Sequence, residues 1–269
     1  MDYLPIIISF FDQIDVFLLI LVRVTAFFIF VPVVSGMAIP TQIRFVLAFF
    51  LSAAIFTSGL VTSATYHDSV VGLVMLMLHE FVAGAVMGFI LFFIFNAILF
   101  AGQFMDFSVG FAMVNVIDPM QQIQVPILGN IMFMSVSALL VVNGGLHYFI
   151  SAFANSYRII PIGTVNFLGN GPLALQMLAL LLGFITLAVQ IAFPIVGALL
   201  IINVCLGIMV KTVPQMNVFV VGMPLKVLIG IFLMFSVMIP ALGSIYNVVF
   251  DRAYDALIEL IWGMSPYVR

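Results

Sequence analysis

Charge is what this sequence lacks. Seven Lys+Arg and ten Asp+Glu are spread over 269 residues, 6% of the chain, against 65% hydrophobic residues. A soluble domain carries about 25% charged residues, and so few charges cannot build a water-facing surface for a chain this long. With a mean hydropathy of +1.38, the chain reads as a polytopic integral membrane protein. Seven scattered cations form no basic face, which excludes a nucleic-acid binder, and the composition excludes a disordered or fibrous chain. Cysteine is nearly absent too. The single Cys205 allows no intrachain disulfide and is expected as a small buried hydrophobe. The three histidines, His67, His79 and His147, are not spaced as metal ligands. His79-Glu80 begins like a zinc-protease motif, but the fifth position is Ala83, so the second histidine is missing. No Gly-rich phosphate loop, nucleophile elbow or carboxylate pair on one helix turn is present, and no catalytic, cofactor or metal site is expected. Asp2, Asp12 and Asp15 are acidic where a secretory signal would be basic.

What is present is a series of long apolar runs. Residues 16–34 are apolar apart from Arg23 and Thr25, and 45–65 contain no charge. Residues 70–105 hold one charged residue, Glu80, and 127–150, 173–210 and 227–250 are charge-free. A membrane helix needs about 20 apolar residues, so these six segments predict an all-α protein of long kinked helices and hairpins, in one domain. Two runs exceed a simple crossing, reaching about 54 Å and about 57 Å as helices. Pro194 and Gly197 predict a kink in the second, while Gly84 and Gly88 form a GxxxG in the first that lets a neighbouring helix approach. With six spans, Arg44, Lys211 and Lys226 fall on one side of the membrane and Arg158, Arg252 and Arg269 on the other. That balance leaves the orientation undeclared and suggests that partner subunits set it.

Two stretches between the runs carry candidate function. Residues 105–126 mix Met105, Phe107, Phe111, Met113 and Met120 with the amides Asn115, Gln121, Gln122 and Gln124, while Gly110 and the turn Asp118-Pro119 interrupt any helix. Irregular backbone at membrane depth is tolerated where protein or water surrounds it. The stretch is therefore expected as a loop lining an internal passage, its Met and Phe side chains forming a compliant constriction. The alternative is an ordinary turn with core-packing side chains. Residues 211–226 place Pro214 and Pro224 between Lys211 and Lys226 and predict a helix break there, with the lysines snorkelling to the interface. Glu80 and Arg44 are further candidates, since an ionisable residue within a span is a site hypothesis by default. For Glu80 the readings are a proton relay or a solvated helix mouth.

Four stretches are familiar. They are Arg23 through Phe30 with Pro32-Val33, Ile39-Pro40 and Arg44; Glu80 through Gly84 with Gly88-Phe89; Gly110-Phe111-Ala112 with Asp118-Pro119 and Pro126 through Gly129; and Thr212 through Phe219 with Gly222 and Pro224-Leu225-Lys226. In this order and spacing, over nearly the whole chain, the sequence resembles the FliR family, membrane subunits of the bacterial flagellar type III export apparatus, and more distantly their injectisome counterpart, SctT. Asp118-Pro119 and Asn217-Val218-Phe219 fit the flagellar version better. The resemblance implies a subunit of a helical, closed hetero-oligomeric export gate. That gate is built with FliP and FliQ, wrapped by FlhB and joined by FlhA, and sits in the inner membrane within the flagellar basal body. It implies a FliP-like part at about 1–172 and a FliQ-like hairpin at about 173–269. Unfolded flagellar subunits would cross through the centre, past a plug loop. The matching plug positions are Met105, Phe107, Gly110, Phe111, Met113 and Val114, with Glu80, Arg44, Asp118 and Lys226 as charged residues of interest and Gly84 and Gly88 as packing positions. No enzyme activity is implied. A small-molecule secondary transporter is the alternative. That class often shows matched broken helices in repeated halves, and residues 1–130 hold no counterpart of Pro194 and Pro224.

Overall fold

The computed structural model describes residues 14–31, 40–61, 70–111, 126–164, 172–213, 215 and 217–265. Among these residues there are eight α-helices and one π-helical turn, and no strand. The helices are α1 (Ile14–Phe30), α2 (Thr41–Thr57), α3 (Val70–Val109), α4 (Ile127–Val142), α5 (Gly145–Ile159), α6 (Pro172–Thr212), α7 (Val218–Leu233) and α8 (Ile239–Gly263). The π turn, Met234–Met238, joins the last two. The all-α membrane class holds. Among the described residues, three helical stretches are long and apolar enough to span a membrane: Val70–Val109, Leu175–Thr212 and Val220–Gly263. The pair α4 and α5 makes a fourth if taken as one bent span.

The boundaries moved for identifiable reasons. The run 127–150 breaks at Asn143-Gly144, where Gly144 adopts a φ of +69° that favours glycine. Asn-Gly is a turn signal that the uninterrupted hydropathy conceals. The run 227–250 continues to Gly263 because Ala253, Ala256, Leu257, Leu260 and Ile261 keep a buried stripe at helical spacing, while Asp251, Arg252, Asp255 and Glu259 lie exposed. Pro194 and Pro224 both sit inside helices, so Pro224 does not mark the break. Val213, Gln215 and Asn217 lie outside helix instead. Cys205 is exposed on α6 rather than buried. That helix is apolar on every side, and hydropathy alone cannot say which side is covered.

Two compact units divide the chain. One comprises the described parts of Met1–Phe93, Gly144–Leu180 and Arg252–Arg269, the other Ile94–Asn143 and Leu181–Asp251. Both draw on residues from either side of position 172.

In the first unit α1 is enclosed, with Leu19, Ile20, Arg23, Val24, Ala26 and Phe27 fully buried. Phe27 stacks on Phe153 at 4.3 Å, and Phe17 meets Phe49 and Phe56 edge-on at 5.6 and 5.8 Å. In lipid, apolar burial by itself drives little association, so helices must gain by close van der Waals contact. Gly84 and Gly88 of α3 supply it. A Cβ at Gly84 would overlap the backbone carbonyl of Arg23, and one at Gly88 would press on the carbonyl of Phe27. The pairings 84 with 23 and 88 with 27 advance together by one helical turn, so the two helices run in the same direction at the contact.

In the second unit the corresponding contact is between α3 and α4, where a Cβ at Gly102 would overlap the backbone of Gly129. Gly230 of α7 makes room for the side chain of Val109, and Phe100 lies 5.5 Å from Phe184 of α6.

These contacts give a signed prediction. Gly84→Ala forces α1 and α3 apart and should destabilise the protein by about 1–3 kcal/mol, as overpacking does. Gly183→Ala on α6 meets nothing within 4 Å and should stabilise its helix by about 0.5–1 kcal/mol. Thermal unfolding of the purified chain in detergent, followed by circular dichroism, should move in opposite directions for the two variants. Parallel shifts would contradict the packing described.

Candidate functional site: a buried ion pair and the crevice beside Gly110

Two charged side chains lie wholly inside the first unit. Arg23 of α1 and Glu80 of α3 are each 0% exposed, and Arg23 Nε donates to Glu80 Oε2. The pairing follows from helix geometry. Glu80, Gly84 and Gly88 share one face of α3 at intervals of four residues, and the glycines bring α1 against that face. Side chains on a helix lean toward its N-terminus, so Arg23, whose own carbonyl faces Gly84, reaches back one turn to Glu80. Arg23 Nη1 also donates to the carbonyl of Ile160 at 3.1 Å, and its guanidinium lies 4.3 Å from the centre of the Tyr157 ring. The Tyr157 hydroxyl donates to the carbonyl of Ile20 at 3.3 Å. The second Glu80 oxygen, Oε1, accepts from the amide of Gly163 at 3.0 Å. Gly163 has a φ of +79°, in the turn that follows α5.

One ion pair thus fastens α1, α3 and the turn after α5. Both Glu80 oxygens are engaged by donors of the same unit, which makes Glu80 a junction between elements far apart in sequence. Arg23 was not singled out as a site residue from the sequence. The signal was there: one cation in the run 16–34 and one anion in the run 70–105, each costly in an apolar medium unless paired.

The other candidate residues lie elsewhere. Arg44 is half-buried in the first turn of α2. Met105, Phe107, Gly110 and Phe111 belong to the second unit. The expected loop at 105–126 begins later than the sequence suggested, because α3 continues to Val109. Met105 is a helical residue, 0% exposed, whereas Phe107 on the same turn is 76% exposed. Gly110, at φ +104°, ends the helix. The amides of Gly110 and Phe111 both donate to the carbonyl of Asp106, at 3.1 and 3.0 Å, the bonding of a Schellman-type glycine cap. Met113, Val114 and Asp118 lie outside the described residues.

Beside Gly110 is a crevice of about 480 Å³ whose lining includes Phe107, Ser108, Asn203, Gly222, Met223 and Lys226. Lys226 is half-buried there and lies within α7, not at a break between spans. The crevice mixes a cation and an amide with apolar walls, unlike the apolar groove of about 540 Å³ among Leu21, Val22, Phe45, Phe49, Phe50 and Phe81 in the first unit.

Breaking a buried pair costs more than replacing it, because the survivor is left charged and unpaired. Arg23→Leu and Glu80→Leu should each lower stability by about 3–5 kcal/mol, and the double variant should recover a large part of that loss. A double-mutant cycle on chemical or thermal unfolding reads the coupling. Strictly additive losses would show that the pair is not the fastening.

Known proteins are similar to this sequence over most of its length. The profile of the family described as bacterial export proteins, family 1, matches residues 14–253. The flagellar biosynthetic protein FliR of Bacillus subtilis is 30% identical over 256 residues, which is 94% of this chain and 97% of that protein. FliR of Escherichia coli is 27% identical over 241 residues, 90% of each chain. The surface presentation of antigens protein SpaR of Shigella flexneri is 29% identical over 241 residues, 84% of this chain and 88% of that protein. With matches of this extent, running through the ion pair, the glycine contacts and the Gly110 cap, the chain belongs to the FliR family of bacterial export proteins.

Proposed function

We propose that this protein is a subunit of the flagellar type III protein export gate. With FliP and FliQ it would form the channel through which unfolded flagellar subunits cross the inner membrane, next to FlhB and FlhA at the basal body. The segment that leaves the helix at Gly110 and returns at Pro126 would be its plug. The observation that carries this reading is the end-to-end similarity to FliR of Bacillus subtilis, 97% of whose length is covered. The flagellar role is preferred to the injectisome one because the SpaR match covers less of the chain.

The chemistry of the chain supports the same reading. Val70, Val71, Val74, Met75 and Leu78 on α3, and Leu181, Leu182, Ile185, Val189 and Phe193 on α6, are exposed. Contiguous apolar faces of this size require cover by lipid or by other subunits. Phe107 and Phe111 flank the glycine at the start of the segment, where flexible apolar side chains suit a seal that stops ions and yields to a polypeptide. The chain is assigned no catalytic step. Partners and the proton-motive force would supply the energy for transport.

Deleting residues 110–115 should leave co-purification with FliP and FliQ intact and raise the ion permeability of cells that carry the assembled gate. Unchanged permeability in an intact complex would count against the plug. A chain that never co-purifies with FliP or FliQ would count against the gate. Purified protein that moves a solute by itself would favour a secondary transporter.

A further inference from the structure

Asp106 lies three residues before the end of α3 and is nearly buried, 7% exposed. Its Oδ1 accepts from the amide of Leu128, in the first turn of α4, at 3.2 Å. The first amides of any helix lack intrahelical partners. The residue at the N-cap of α4 is Pro126, whose ring offers no side-chain oxygen to accept from them. Asp106 therefore supplies the cap from 22 residues away, and its negative charge suits the positive end of the helix dipole. The backbone carbonyl of the same residue receives the amides of Gly110 and Phe111 that close α3. One residue thus completes the end of the outgoing helix with its main chain and the start of the returning helix with its side chain. One turn earlier, Gly102 meets Gly129 backbone to backbone, a second bolt between the same two helices.

We propose that Asp106 is a positioning residue for the chain between Gly110 and Pro126. With the Gly102–Gly129 contact it clamps the two feet of that segment at a fixed separation, so that whatever seal the segment makes is presented from a rigid base. This role rests on the plug reading above, while the clamp itself does not. A merely local cap would stabilise α4 and leave the separation of the feet unchanged. A clamp sets that separation, and through it the seal.

The test separates these levels. In the full chain with Cys205→Ser, spin labels are placed at Ser108→Cys and Ile127→Cys, one on each foot, and dipolar broadening is read. Asp106→Leu should lose the broadening. Asp106→Asn keeps an acceptor of the same shape and should retain it. In cells carrying the assembled gate, Asp106→Leu should raise the resting ion leak toward that of the 110–115 deletion, with Asp106→Asn near wild type. If Asp106→Leu does not accumulate, Asp106→Ser, whose hydroxyl falls short of the Leu128 amide, takes its place with the same expectation. Retained broadening in the Leu or Ser variant overturns the clamp, and a leaking 110–115 deletion would then leave the plug standing. Lost broadening with no leak, while the 110–115 deletion does leak, overturns the link from clamp to seal. Lost broadening with no leak from either variant overturns the plug reading and leaves Asp106 as a structural cap.

Discussion

The organisation of the first unit depends on two opposite charges having nowhere to go except to each other. Arg23 and Glu80 sit in helices that are otherwise apolar over the lengths concerned, and both are sealed from solvent. An isolated charge in such a medium is costly, so the sequence becomes workable once α1 and α3 meet with these residues in reach. Gly84 and Gly88 permit that meeting by removing the side chains that would keep the helices apart. Further hydrogen bonds to the carbonyl of Ile160 and from the amide of Gly163 tie in the end of α5. Ion pair and glycine face are one device: the glycines set the distance, and the charges set the register.

The second unit solves a related problem through backbone contacts and helix caps. There the chain must leave a helix and come back, and the exposed ends of both helices need partners. Gly110 closes one end through its left-handed backbone, Asp106 serves both, and Gly102 and Gly129 bring the two helices into backbone contact. The result is a firm junction between the end of α3 and the start of α4, next to a crevice that contains Lys226. The outward apolar faces of α3 and α6 give the chain broad surfaces for lipid or neighbouring subunits.

Hydropathy revealed the class and the six apolar segments, because a chain with so few charges admits few alternatives. It missed two boundaries. Asn143-Gly144 breaks a run whose apolar character never falters, and the amphipathic end of α8 hides behind Asp251 and Arg252. The GxxxG at Gly84 and Gly88 was legible as a packing signal, although its partner was not. Arg23 could have been matched to Glu80 by the scarcity of charge alone. The cap that Asp106 provides was out of reach of sequence reasoning. Capping signals are sought within a few residues of a helix start, and this one comes from 22 positions away. Gly110 and Pro119 suggest an interruption of the whole stretch from Met105, whereas a glycine ends a helix where it stands and leaves the preceding turns intact.

In the proposed gate, the chain around Phe111 borders the path of exported polypeptide. The most direct measurement places a photo-crosslinking amino acid at position 111 and stalls a fusion of an exported flagellar subunit to a tightly folded domain in the gate. The account predicts a crosslink between position 111 and the stalled substrate that disappears when the substrate is not engaged. A crosslink to lipid alone, unchanged by the substrate, would contradict it.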